Sequence, residues 1–118
     1  MTPINVLVIF YSRSGLTEKL ALAAAVGAVQ ARANIRLRRL PAGGEESAEL
    51  NEPLARMRRE YVPPTPADTM WADAVIIGMN GKIAGLPSEA GAATAYGRKI
   101  AADARAFKMS LEGADGKL

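Results

Sequence analysis

The chain has 118 residues with 49% apolar, 23% charged and 5% aromatic residues, the balance of one soluble α/β or helical domain with a real core. It contains no histidine and no cysteine, which excludes disulfides, thiolate nucleophiles, Cys/His zinc sites and every catalytic triad built on imidazole; neither a catalytic residue nor a metal site is expected. The net charge is +3, and residues 1–44 hold six Lys or Arg against one acidic side chain, a distribution that suits a phosphorylated ligand but is too sparse and too poor in aromatics for nucleic acid.

Ile4 to Phe10 is an almost unbroken β-branched apolar run, which reads as a strand covered on both faces in a parallel sheet. The polar loop Tyr11-Ser12-Arg13-Ser14-Gly15-Leu16-Thr17 follows, and residues 16 to about 32 form an alanine-rich helix with Leu16, Leu20, Ala23, Ala24 and Gly27 on one side. Gly27 weakens a helix, so it marks a close approach. Asn34 to Leu40 alternates Ile35 and Leu37 with arginines, the pattern of an edge strand whose charges guard against aggregation, although Arg36, Arg38 and Arg39 also suit an anion.

Pro41 to Gly44 ends that strand, and Leu50, Leu54, Met57 and Tyr61 then predict a helix over 45–61. Asn51 is its better cap, Pro53 falls in its first turn, and Arg56, Arg58 and Arg59 make its solvated face. Val62 to Pro66 reads as a stiff linker, Trp71 as a core plug beneath the second crossover, Asp68 and Asp73 as caps and turn residues, and Ala74 to Gly78 as a third buried strand. Gly78 to Pro87 is a glycine-containing loop. Ser88 caps a final helix running to about Met109, whose apolar face is Ala93, Tyr96, Ile100, Ala104, Phe107 and Leu111. The domain is expected to span 1–112, with 113–118 a flexible tail.

The order β-α-β-α-β-α calls for a parallel sheet with right-handed crossovers. In such sheets ligands bind where the first strand's carboxyl end opens the first helix, because unpaired amides and the helix dipole favour an anion there. Ser12, Ser14 and Thr17 add hydroxyls, Gly15 permits a sharp turn and Arg13 adds charge. No lysine follows the glycine as in a Walker A loop, and no G-x-G-x-x-G is present. The bland alternative is that these residues merely cap a helix.

Val6 to Ala21, with its Phe10-Tyr11-Ser12-Arg13-Ser14-Gly15-Leu16-Thr17-Glu18 centre, resembles the first strand and phosphate loop of flavodoxin-like proteins. The nearest likeness is to FMN-dependent NAD(P)H:quinone oxidoreductases of the tryptophan-repressor-binding-protein (WrbA) type. Residues 65–78 (T-P-A-D-T-M-W-A-D-A-V-I-I-G) resemble that family's short acidic helix and third strand, and residues 86–101 its terminal helix. The resemblance implies a flavodoxin-like three-layer sandwich, reduced to a three-stranded parallel sheet of order 2-1-3 with helices on both faces. It implies that Ser12, Ser14, Gly15 and Thr17 bind the FMN phosphate, that Arg13 and Leu16 flank it, and that Met79, Asn80 and Gly81 face the ring, with NAD(P)H and a quinone as reaction partners.

The departures from the family are as informative. The flavin-packing Gly-Thr-Pro-Thr loop is replaced by Gly78-Met79-Asn80-Gly81-Lys82-Ile83-Ala84-Gly85, and the family's fourth and fifth strands have no counterpart. Strand three is then an exposed apolar edge, which predicts a homo-oligomer built on it unless residues 79–87 fold over it. The competing reading is a non-catalytic truncated remnant or interaction module that dimerises through strand three. No apolar run reaches membrane-helix length and the start lacks a signal-peptide pattern, so a cytoplasmic protein without membrane partners is expected.

Overall fold

The computed structural model describes residues 2–41, 52–86 and 88–115. In chain order the elements are β1 (Asn5–Phe10), α1 (Leu16–Gln30), β2 (Asn34–Arg39), α2 (Glu52–Glu60), α3 (Pro66–Trp71), β3 (Ala74–Met79), β4 (Lys82–Ile83) and α4 (Ala90–Asp115). The fold is α/β, and β1, β2 and β3 pair in parallel with β1 in the centre. The expected three-stranded parallel sheet is corrected in one respect. A fourth strand joins it, giving the mixed order β2-β1-β3-β4 with β4 antiparallel to β3.

The fourth strand exists because Asn80 and Gly81 both adopt the left-handed conformation, at φ 55° and 71°. That is the geometry of a two-residue hairpin turn whose twist matches that of the strands it joins. Lys82 and Ile83 fold back to pair with Met79 and Gly78, and the Ala84 amide donates to the Ile77 carbonyl at 3.1 Å. Residues 79–85 thus cover the carboxyl end of the strand-three edge. Ala74 to Ile76 have no strand beside them on that side among the described residues.

The register sorts the sheet's side chains. Val6, Val8 and Phe10 lie level with Ile35, Leu37 and Arg39 on one side and with Ala74, Ile76 and Gly78 on the other. This face packs against α1 and α4, and the core holds Val6, Val8, Phe10 and Ile76 with Leu20, Ala21, Ala24, Ala28, Ala93 and Ala101. Each fully buried Val, Ile or Phe side chain in it contributes about 1.5–3 kcal/mol, and each alanine less. Met57 and Tyr61 join this core, with the Tyr61 ring edge-on to Phe10 at 5.0 Å.

The opposite face carries Leu7 and Ile9, level with Arg36 and Arg38 and with Val75 and Ile77. Here α3 lies against β1 and is tied to β2 through Asp68, which accepts from both arginines at 3.1 and 3.0 Å. Arg36 and Arg38 are therefore engaged in holding α3 rather than standing as a solvated guard. Asp68 also completes a reciprocal capping box with Thr65 at the start of α3, so the Pro-rich stretch read as a linker ends in a helix. Trp71 is half-buried beneath the Arg36 guanidinium, 4.3 Å from it, rather than a core plug. Asp73 accepts from the Asn5 amide at 2.8 Å and pairs with Lys108.

Close approach of α1 and α4 rests on two glycines. A Cβ on Gly27 would stand 1.9 Å from the Thr94 carbonyl oxygen, and one on Gly97 1.9 Å from that of Ala24. The alanine-rich faces around them let the backbones touch. The expected α4 face holds for Ala93, Tyr96, Ile100 and Ala104, which meet the core, but Phe107 and Leu111 are exposed. The reason is length: Lys108 already bonds the Pro3 carbonyl at the foot of the sheet, and the helix continues to Asp115, beyond the end expected near Met109. Ser88 bonds Gly81 instead of capping the helix, which starts at Ala90. The predicted helix over 45–61 is described from Glu52; Leu50 and Asn51 lie outside the described residues, as do Ala42 to Gly44 and Pro87. Among the described residues no helix is long and apolar enough to cross a membrane.

Candidate functional site at the head of the sheet

The loop after β1 is organised from within. Ser12 is 4% exposed, and its Oγ accepts from the Gly15 amide at 3.0 Å. Its carbonyl accepts from Arg39 Nη2 at 2.8 Å and Nε at 3.3 Å. The same guanidinium lies 5.3 Å from the centre of the Tyr11 ring, and the Tyr11 hydroxyl accepts from Arg13 at 3.3 Å. Gly15, at φ 103°, turns the chain into α1 in a conformation that favours glycine.

That turn leaves the start of α1 without a side-chain cap. The first helical bond runs from the Lys19 amide to the Gly15 carbonyl at 3.1 Å. The amides of Leu16, Thr17 and Glu18 precede it and so have no partner within the helix. Beside them lies a cavity of about 330 Å³ lined by Tyr11, Ser12, Arg13, Ser14, Leu16 and Thr17 from the loop and by Asn80 and Gly81 from the hairpin. Its size falls within the range of small-molecule sites.

Thr17 joins the two walls. It is 4% exposed, and its Oγ1 accepts from the Gly81 amide at 2.8 Å. Its methyl packs on Gly78, where a Cβ would stand 3.2 Å from Thr17 Cγ2 and 2.5 Å from Ile83 Cδ1. Leu16 covers Gly81, and the Ser88 hydroxyl donates to the Gly81 carbonyl. A second cavity, about 410 Å³, opens on the other flank of the hairpin against Ile77, Met79, Asn80, Lys82, Ala84 and Gly85. Asn80 lines both cavities.

Of the residues singled out in the sequence, Ser12, Arg13, Ser14, Leu16, Thr17, Asn80 and Gly81 share the first cavity; Gly15 shapes its turn; Met79 lines the second. Tyr11 joins the first as well. Sequence reasoning missed Glu18. It sits in the first turn of α1, 5% exposed, and accepts from Arg56 at 2.5 and 2.9 Å and from the Tyr61 hydroxyl at 2.7 Å. The Arg56 bonds hold its carboxyl below the ordinary range despite burial. Burial and the Glu18 carboxylate push the Tyr61 hydroxyl well above its usual value. Arg56 is therefore no solvated helix residue; it docks α2 against the first turn of α1 and also pairs with Glu60 at 2.8 Å. The only sequence signal for this cluster is an acidic residue at the third helical position, which the helix dipole favours in any case. Among the described residues no group of three His, Cys, Asp or Glu is placed to hold a metal ion.

Neither a protein-family profile nor a curated protein sequence matches this chain.

Proposed function

We propose that the chain is a flavodoxin-like protein that binds FMN at the head of its sheet and works as an NAD(P)H:quinone oxidoreductase. The observation that supports this reading best is the first cavity. It lies at the carboxyl ends of parallel strands, and its lining combines the helix-start residues Leu16 and Thr17, whose amides have no partner within the helix, with the hydroxyl-bearing Ser12, Ser14 and Thr17 and with Arg13. This donor set suits a phosphate monoester. The second cavity begins at Asn80 and offers Ile77 and Met79 as an apolar surface for a flat ring.

When bound, the flavin supplies the hydride chemistry itself, so the absence of histidine is compatible with activity. The chain's contribution is to anchor: Ser12, Ser14 and Thr17 hold the phosphate, Gly15 sets the turn, and Arg13 and the buried Arg39 beneath the loop offset its charge. The test is a titration of the purified protein with FMN, followed by flavin fluorescence. Saturable quenching in the wild type, lost in the Ser12→Ala/Thr17→Ala double variant, supports the reading and makes quinone reduction with NADH or NADPH the next assay. No binding at high micromolar FMN overturns it.

One observation favours a second reading, a non-catalytic module that self-associates through strand three. Val75, Ile77 and Met79 on β3 are 42, 51 and 45% exposed on the face away from α1. Flavin binding separates the two readings.

A further inference from the structure

Two cavities flank one hairpin, and Thr17 is the buried group that ties the hairpin to the loop. We infer that Thr17 is a positioning residue that couples the occupancy of the first cavity by an anion to the position of the hairpin tip, and through it to the second cavity. This rests on the proposed reading of the first cavity as a phosphate site.

The hydroxyl has one proton to donate and lone pairs to accept with. Its oxygen already accepts from the Gly81 amide at 2.8 Å. The proton remains for an oxygen of the anion, so the bonds run in one direction, from Gly81 N–H to Thr17 Oγ1 and from Thr17 O–H to the anion. Bonds chained this way polarise one another. An anion that draws on the Thr17 proton makes Oγ1 a better acceptor and pulls Gly81 tighter. The tip has little freedom to absorb the change elsewhere, because Leu16 lies against Gly81 and the Ser88 hydroxyl holds its carbonyl. Asn80, the next residue, lines both cavities, so the change reaches the second.

Threonine suits this position on both counts. The methyl is wedged against Gly78, 3.2 Å from where a Cβ would be, which fixes the side chain and so the direction of its hydroxyl. Valine keeps the wedge and loses the relay. Serine keeps the relay and loses the wedge.

The experiment follows the backbone amides of the isotope-labelled protein by NMR during titration with inorganic phosphate. The expected result is that Gly81 shifts together with Leu16 and Thr17 along a common binding curve. Thr17→Val gives up one of the phosphate's hydrogen bonds and binds more weakly, but at phosphate concentrations that saturate the Leu16 response the Gly81 amide no longer moves; in Thr17→Ser, the Gly81 response returns. Movement of Leu16 and Thr17 with Gly81 unmoved in the wild type overturns the coupling while leaving the phosphate site standing. A Gly81 response that survives in Thr17→Val overturns it too. No response anywhere removes the phosphate site and the coupling together. FMN titrated in parallel keeps the readings apart, because phosphate-linked movement of Gly81 without FMN binding upholds the coupling and removes only the flavin.

Discussion

Asp68 holds more of this molecule together than its exposed neighbours suggest. Its carboxylate accepts from Arg36, Arg38, the Thr65 amide and the Thr65 hydroxyl, so it joins β2 to α3 and starts the helix as well. The Arg38 bond, then that of the Thr65 amide, holds its carboxyl down at about 2, against 3.8 for a free side chain. A carboxyl lowered by folding stabilises the folded state fully above its unfolded value. That contribution is lost as the pH falls through the folded one. Acid unfolding of the wild type is therefore expected to steepen between about pH 4 and pH 2. Asp68→Asn is expected to be less stable at neutral pH and to show a flatter acid limb in that window. Circular dichroism melts at half-unit pH steps check this. An unchanged acid limb in the variant would falsify the assignment of that stability to Asp68.

Packing of α1 on α4 makes an equally sharp test, because two effects of known size oppose each other. Replacing a mid-helix glycine by alanine gains up to about 1 kcal/mol of helix propensity where nothing interferes. At Gly27 and Gly97 the new methyl meets a backbone carbonyl at 1.9 Å, which no rotamer change relieves. Overpacking of this kind typically costs about 1–3 kcal/mol, and contact with backbone on both helices puts these sites at the upper end. Gly27→Ala and Gly97→Ala are each expected to lower stability by about 2 kcal/mol net. Gly113→Ala, with nothing within 4 Å of its Cβ and still within α4, is expected to be neutral or slightly stabilising. Urea melts of the three variants decide it, and stabilisation at Gly27 would show that the helices do not touch there.

The same contrast explains what could be read before the structure was known. Gly27 was legible as a close approach because a glycine in an alanine-rich helix has few other uses. Its counterpart Gly97 was not, because pairing it with Ala24 needs contact between residues 73 positions apart. The parallel core was legible from the length and β-branching of 4–10 and 74–78. The hairpin was not, although Asn80-Gly81 is a strong turn signal. With β4 only two residues long, no periodicity announces a strand. The helix α3 spans only six residues behind a proline-rich stretch, so no periodicity announces it; the likeness of residues 65–78 to a short acidic helix and strand is what placed a helix there. At the site, the loop residues were local and legible. The Glu18–Arg56–Tyr61 cluster joins residues 38 and 43 apart, and only the packing of α2 reveals it.

The sheet as a whole is covered unevenly, and this bears on self-association. Parallel strands are normally buried on both faces. Here α1 and α4 cover most of one face, while α3 lies against β1 on the other and leaves Val75, Ile77 and Met79 about half exposed. Full burial of each such side chain contributes about 1.5–3 kcal/mol, so hiding the exposed half gives about 1 each. Two copies meeting face to face would gain about 6 kcal/mol from six side chains. Association itself costs at least about 4 kcal/mol, and often much more. The balance allows only a weak, concentration-dependent dimer, even with the edge of Ala74 to Ile76 added. Sedimentation of the wild type is therefore expected to show reversible association at the highest concentrations and monomer at low micromolar concentration. Ile77→Lys is expected to remain monomeric throughout, because it places a charge in the middle of the patch. A dimer that persists at nanomolar concentration, or one indifferent to Ile77→Lys, would mean that the chain associates through a different surface.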